Sequence, residues 1–304
     1  MRFSFVLPAW KGKYLLEAVQ AILDQSYQDF ELVVVDDCSP DNLQEKILTF
    51  NDARISYHRN EKNLGAKNLV DQWNHCITYA KGDYIILATD DDLYEPNFLE
   101  EISGLIDKYP NVDLLRSRIM QIMDNGKILG MDGYYKENMS FAEFVFYMMH
   151  GMKSGIPQYV FKRIALLKAG GFVNFPHAWA SDDASAIHLA RNGVAICNKC
   201  LVKFRINSGI NITSNLNIMP EKTQALLKYY QWLKQNLSCI KPIDNYYEYL
   251  YRHTVEQLPV KVKLMIIQQV KPTPILIKFK CWLVILKCTE FAFKNKISLF
   301  YRTF

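Results

Sequence analysis

Cysteine is sparse in this chain: seven residues, at positions 38, 76, 197, 200, 239, 281 and 288, an odd number scattered over 304. A chain of this length builds a core without disulfide staples, so a reducing compartment, the cytoplasm, is expected. Cys197 and Cys200 have CxxC spacing, but neither a second pair nor a nearby histidine completes a zinc site. Long apolar runs are also missing. The "FVL" ahead of Pro8 falls far short of the about 7–15 apolar residues of an export signal. The run "CWLVIL" between Lys280 and Lys287 is equally far from the ~20 residues that cross a bilayer. No internal repeat and no linker rich in Gly, Ser or Pro divides the first 215 residues, which are read as one domain. Acid is nearly absent from residues 260–304, where Glu290 stands alone among nine lysines and arginines. That segment carries +8 of a chain whose total is +5, so the remainder is slightly acidic.

What is present is an alternation. "FSFVL", "FELVVV", "RISYH" and "DYIILA" are short β-branched and aromatic runs. "YLLEAVQAILDQ", "NLQEKILTF" and "AKNLVDQWNHCITYA" place apolar residues at helical spacing. Strands alternating with helices of this length predict a parallel sheet with helices on both faces. Ser39 followed by Pro40 predicts a helix N-cap directly behind Asp36 and Asp37. From residue 112 the rhythm changes to strands around an Asn-Gly turn, a helix over "SFAEFVFYMMHG", and a helix ending near Gly193. Beyond Pro220 the chain reads as helical.

Asp36 and Asp37, and the triplet Asp90, Asp91 and Asp92, therefore fall at the carboxyl ends of strands, the edge where open α/β sheets bind ligands. Adjacent carboxylates repel one another and resist burial unless a counter-charge or water is at hand. Mn²⁺ or Mg²⁺ is the natural counter-charge, since hard cations take oxygen ligands and share them with phosphates. The competing reading is a helix N-terminus, where acids are also favoured. For Asp36 and Asp37 the competing reading is an Asx-type turn. "SDDA" at 181–184 reads either as a helix cap or as a pair of carboxylates available for proton transfer.

The stretches "FVLPAWKGKYLLEAVQAILDQSYQDFELVVVDDCSPDN", "YIILATDDDLYEPNFL" and "SDDASAIHLARNG", in this order and spacing, resemble the family 2 glycosyltransferases. The resemblance covers residues 3 to about 210. It implies an α/β fold of GT-A type: a mostly parallel, Rossmann-like sheet flanked by helices over residues 1–215, with a basic helical extension over 216–304. It also implies a nucleotide-sugar donor, of which a UDP-sugar is the expected form. Pro8 and Trp10 fall where the family places an aromatic beside the base. Asp37 matches the acid that contacts the base, Asp36 supports it, and Asp90 lies next to the nucleotide. Asp91 matches the metal ligand of the family's DxD motif, with Asp92 beside it, although Thr89 replaces the first acid. Lys67, in the segment usually rich in Arg and Asn, is available to a phosphate or to solvent. Asp182 matches the catalytic base, with Asp183 the adjacent alternative, and His177 and Trp179 are available to the acceptor or to packing.

The implied activity is a metal-assisted, inverting transfer of a sugar to a hydroxyl of a growing surface glycan or glycolipid, as in polysaccharide or lipopolysaccharide assembly. The alternatives are a nucleotidyltransferase on a similar sheet and a catalytically silent nucleotide-sugar-binding protein. Residues 273–304 mix aromatic and aliphatic residues with lysines. They are expected either to lie on the inner face of the cytoplasmic membrane or to pack on the domain. No recognised nucleic-acid reader is present, and no nucleic-acid partner is expected.

Overall fold

Strand β1 (Phe3–Ala9) shows why the sheet forms. Phe3, Phe5 and Leu7 pack to one side and Val6 to the other, all fully buried. Period-two side chains that are apolar on both faces require cover on both faces. In the computed structural model, which describes residues 1–66, 68–206, 215–289, 291 and 293–304, helices supply that cover. The chain runs through α1 (Leu15–Leu23), β2 (Phe30–Asp36), α2 (Leu43–Leu48), β3 (Ile55–Arg59), α3 (Leu69–Cys76) and β4 (Tyr84–Leu87). Next come β5 (Leu93–Tyr94), α4 (Phe98–Lys108), β6 (Leu114–Ile122), β7 (Ile128–Met131), β8 (Asn138–Met139) and α5 (Phe141–Met149). It then forms β9 (Tyr159–Lys162), α6 (Arg163–Lys168), α7 (Ser181–Leu189) and β10 (Val194–Arg205). The sheet order is β3-β2-β1-β4-β9-β6-β10-β5, with β7 paired to β6 and β8 to β10. It is parallel across β3-β2-β1-β4 and mixed beyond, where β9 runs antiparallel to both β4 and β6.

Helices α1, α2 and α4 close one face, and α3, α5 and α7 the other. In α1 the buried residues Leu15, Ala18, Val19, Ile22 and Leu23 trace a single stripe. Helix α5 begins with a reciprocal capping box between Ser140 and Glu143. The Asn-Gly turn predicted between β6 and β7 is present, with Gly126 in the left-handed region at φ 79°. Helix α2 starts later than Ser39-Pro40 predicts: Asn42 caps it, while Ser39 Oγ accepts the Asp41 N–H at 3.1 Å in a turn ahead of the helix and donates to the Trp10 carbonyl at 2.7 Å.

The remainder is helical: α8 (Met219–Asn236), α9 (Asn245–Tyr251), α10 (Leu258–Val270), α11 (Ile275–Lys287) and α12 (Phe293–Thr303). Leu226, Tyr229 and Leu233 of α8, Val262 and Ile266 of α10 and Ile285 of α11 join the core on the face covered by α3, α5 and α7. The C-terminal helices thus share a core with the sheet. Among the described residues no helix is long and apolar enough to cross a membrane.

Candidate active site

The carboxyl ends of β1 and β4 open into a cavity of about 800 Å³. Strand β1 lies between β2 and β4, so the chain leaves it toward opposite sides of the sheet, the topological position where such folds bind ligands. Pro8, Trp10, Asp37, Asp90, Asp91, Asp182 and Asp183 all line this cavity. Lys67 lies outside the described residues.

The loops around the mouth are tied together by carboxylates. Asp90 accepts the backbone N–H groups of Trp10 at 3.2 Å and Lys11 at 3.0 Å, joining the loop after β1 to the loop after β4. Trp10 is left 43% exposed at the rim, a free aromatic face. Asp37 accepts Asn60 Nδ2 at 2.8 Å and the N–H groups of Leu64 at 2.8 Å and Gly65 at 2.7 Å. Position 65 has to be glycine, because a Cβ there would stand 2.9 Å from Asp37 Oδ2. Asp36 is different. It is fully buried and accepts the Ser39 N–H, the Tyr57 hydroxyl and the Arg59 guanidinium. Burial, followed by the bond to Asp36, pushes the Tyr57 phenol up to about 12. The Asp36 oxygens face the protein, where they brace the end of β2.

The triplet divides in the same way. Asp92 is 1% exposed; its oxygens accept the Thr89 hydroxyl at 2.6 Å and the Arg205 N–H at 2.7 Å, clamping the loop to the end of β10. Asp92 also lines the cavity, so the clamp forms part of its wall. Asp91 is half-buried, as is Asp90, but among the described residues no backbone N–H donates to the Asp91 carboxylate. Burial and then the charge of Asp90 push Asp91 up to about 6, opposed by Lys11, Thr89 and Arg205. Among the described residues no three His, Cys, Asp or Glu side chains converge on one point. A cation held here would complete its shell with waters and substrate phosphates.

Asp182 and Asp183 occupy the first turn of α7. The N-cap position is Ala180, and no side chain caps the helix, so neither aspartate is used as the cap. The backbone before them is strained: His177 (φ 55°), Ala178 (φ 56°) and Ala180 (φ 64°) are left-handed without being glycine. Such conformations cost of order 1–3 kcal/mol each and persist where the surroundings enforce them. Here Ser181 Oγ accepts the Phe175 N–H at 3.0 Å, and Ser185 Oγ donates to the Ser181 carbonyl at 2.6 Å. Burial and then the charge of Asp183 push Asp182 up to about 7. Burial also raises Asp183, while Ser154 and Arg116 favour its charged form.

Sequence reasoning missed what lies behind this pair. Arg116 is fully buried in β6 and pairs with Asp132, and among the described residues its Nη1 has no hydrogen-bond acceptor. Asp183 Oδ1 and the Tyr229 hydroxyl are likewise buried without hydrogen-bond partners among the described residues. An arginine inside the apolar run "DLLRSRIM" was the available signal, because buried charges are kept where they have an opposite charge to meet. The C-terminal helices were missed as well: Leu226 of α8 and Met265 and Gln269 of α10 line the cavity.

Comparison with known proteins follows the same outline. The sequence pattern of the family described as "Glycosyl transferase family 2" matches residues 4–165. An uncharacterized glycosyltransferase of Rickettsia typhi is 25% identical over 226 residues, 72% of this chain and 68% of that protein. The UDP-Glc:alpha-D-GlcNAc-diphosphoundecaprenol beta-1,3-glucosyltransferase WfgD of Escherichia coli is 32% identical over 129 residues, which is 42% of this chain and 49% of that protein. The match therefore spans about half of WfgD. Among solved structures, S. aureus TarS 1-349 in complex with UDP-GlcNAc superposes with a TM-score of 0.61 at 16% identity, covering 99% of this chain and 89% of that one. That likeness establishes a fold of GT-A type.

Proposed function

The chain belongs to glycosyl transferase family 2, and from that premise we propose that it moves a sugar from a UDP-sugar to a hydroxyl of a growing surface glycan or glycolipid, inverting the anomeric centre. Glycosyl transfer from a nucleotide-activated donor is the activity of the family. The finer reading rests on one observation: Asp91, Trp10 and the raised carboxylates Asp182 and Asp183 open into the same cavity. UDP as the nucleotide is supported by the WfgD description and by the UDP-GlcNAc bound in TarS.

Trp10 stacks on the base at the rim, Pro8 and Asp37 shape the wall beside it, and Lys11 faces the diphosphate. Mn²⁺ or Mg²⁺ held by Asp91 and the diphosphate oxygens would supply positive charge where the leaving group becomes negative. Asp182 takes the proton of the acceptor hydroxyl as that oxygen bonds to the anomeric carbon and the bond to the diphosphate breaks. With its carboxyl held at about 7, Asp182 exchanges a proton readily at neutral pH. Asp183, beside Asp182 in the same turn, raises its basicity electrostatically. One base and a diphosphate leaving group make a single displacement, with no covalent intermediate. Reaction at the inner face of the cytoplasmic membrane follows from a lipid-linked acceptor.

The test is turnover of UDP-sugars with glycan and polyprenol-linked acceptors, with and without Mn²⁺ or Mg²⁺, read by UDP release and by NMR of the new linkage. UDP as product, inverted configuration and loss of rate on chelation are expected. Release of pyrophosphate or retained configuration would overturn the reading.

A further inference from the structure

Helices α11 and α12 turn an apolar face outward. On α11, Leu276, Phe279 and Leu283 recur at spacings of three and four and are 75%, 51% and 43% exposed, while Cys281 and Ile285 on the opposite side are buried. On α12, Ile297, Tyr301 and Phe304 follow the same spacing and are 42%, 77% and 42% exposed. Half-buried rings join the two stripes. Phe279 lies 6.1 Å from Trp282, Trp282 5.0 Å from Phe300, and Phe300 4.5 Å from Phe304, measured between ring centroids. The result is one patch crossing two helices, unlike the single exposed apolar residues that any surface carries.

Cations sit on the same helices. Lys280 and Lys287 of α11 and Lys294 and Arg302 of α12 are exposed, Lys278 is half-exposed, and Glu290 is the one acid of residues 260–304. With 13 and 11 residues the two helices are too short to cross a bilayer. An aromatic and aliphatic face flanked by lysines, on helices of this length, suits the boundary between headgroups and acyl chains.

We propose that this face of α11 and α12 binds the surface of an anionic bilayer, with Leu276, Phe279, Leu283, Tyr301 and Phe304 entering the interface and the cations meeting the headgroups. A second copy of the chain fits poorly, because a two-fold contact through this face would bring like charges together. An acidic protein would satisfy the lysines but gives no reason for the protruding leucine and phenylalanine side chains. The inference gives the glycolipid-acceptor reading a location and rests on that reading for nothing else, since binding is measured without turnover.

The test is co-sedimentation of the full chain with phosphatidylglycerol/phosphatidylethanolamine vesicles and with phosphatidylcholine vesicles, at low and high salt. At least about tenfold preference for the anionic vesicles is expected, weakening with salt. Leu276→Glu/Phe279→Glu/Leu283→Glu should reduce binding by at least about tenfold, and Ile297→Glu/Tyr301→Glu should act in the same direction. The surface variants Lys278→Gln, Lys280→Gln and Lys287→Gln should each cost about fivefold and flatten the salt dependence, with unchanged melting. A wild type that stays in the supernatant, equal binding to both vesicles, or glutamate variants that still sediment would overturn the proposal. So would a solution dimer that these variants dissociate. If vesicle binding holds and no glycosyl transfer is found, the functional reading fails and this surface remains; the converse outcome removes the surface alone.

Discussion

The ammonium group of Lys222 stands 4.5 Å over the ring of Trp179, and its Nζ donates to the Asn215 carbonyl at 3.0 Å. Lys222 is fully buried, and that burial pulls the ammonium down to about 8. Trp179 follows the left-handed residues His177 and Ala178 and lies three residues before Asp182, so α8 holds in place the strained turn that presents the carboxylates. A desolvated cation over an indole is worth ~2 kcal/mol. Lys222→Met should therefore lower kcat by up to about thirtyfold and leave the donor affinity intact. Kinetics against both substrates, with calorimetry for the donor, test this; an unchanged kcat would mean that packing alone fixes Trp179.

Replacing the proposed base separates binding from chemistry. Asp182→Asn keeps the shape of the first turn of α7 and cannot accept the proton, so transfer should fall by ~10²–10⁴ while the donor still binds. In the wild type kcat should rise with pH through about 7, where Asp182 loses its proton. Because the charge of Asp183 raises Asp182, Asp183→Asn should move that rise to lower pH. A profile that is flat between pH 5 and 9 would remove Asp182 from the role.

Asp91 and Asp92 are neighbours with opposite expected phenotypes. Asp92→Ala strands the Thr89 hydroxyl and the Arg205 N–H in a buried place, a loss of ~1–3 kcal/mol each way it is relieved, and should lower the melting temperature. Asp91→Asn leaves those bonds alone and removes a carboxyl that its surroundings raise, so it should not lower melting, while abolishing any stabilisation of the donor complex by Mn²⁺. Thermal melts of both variants, with and without UDP and Mn²⁺, distinguish them. Similar behaviour of the two would show that the triplet acts as one unit.

The sheet from β1 to β4 and the position of its carboxylates are legible because the signals are local: period-two apolar runs, helical stripes, and acids directly behind them. The roles of Asp36 and Asp92 are not, since each depends on a distant donor, the Arg59 guanidinium of β3 for Asp36 and the backbone N–H of Arg205 in β10 for Asp92. Sequence shows a carboxylate at a strand end, not whether its oxygens face a ligand or a neighbouring strand. Ser39-Pro40 makes a turn ahead of the helix, with Ser39 Oγ accepting the Asp41 N–H, and Asn42 takes the cap position. "SDDA" has cap composition, yet the cap position falls on Ala180 because the preceding turn is left-handed. Leu226, Met265 and Gln269 were out of reach, because nothing local in a helix stripe tells which cavity it will wall.

The pair in α7 also sets how stability depends on pH. An aspartate in the unfolded chain ionises near ~3.9, whereas Asp182 in the folded chain holds its proton up to about 7. Between these values the native state binds more protons than the unfolded state, so this group's contribution falls as pH rises and levels off above 7. Its favourable part is complete below pH ~4. Asn at position 182 carries no such charge. Asp182→Asn should therefore melt above the wild type at pH 8, and the gap should close at pH 4. A difference of ~1 kcal/mol corresponds to about 1.5 °C in a chain of this size, within reach of calorimetry. A gap of the same size at both pH values would show that the carboxyl is not raised by its surroundings, and with it would go the reason for preferring Asp182 as the group that takes the acceptor's proton.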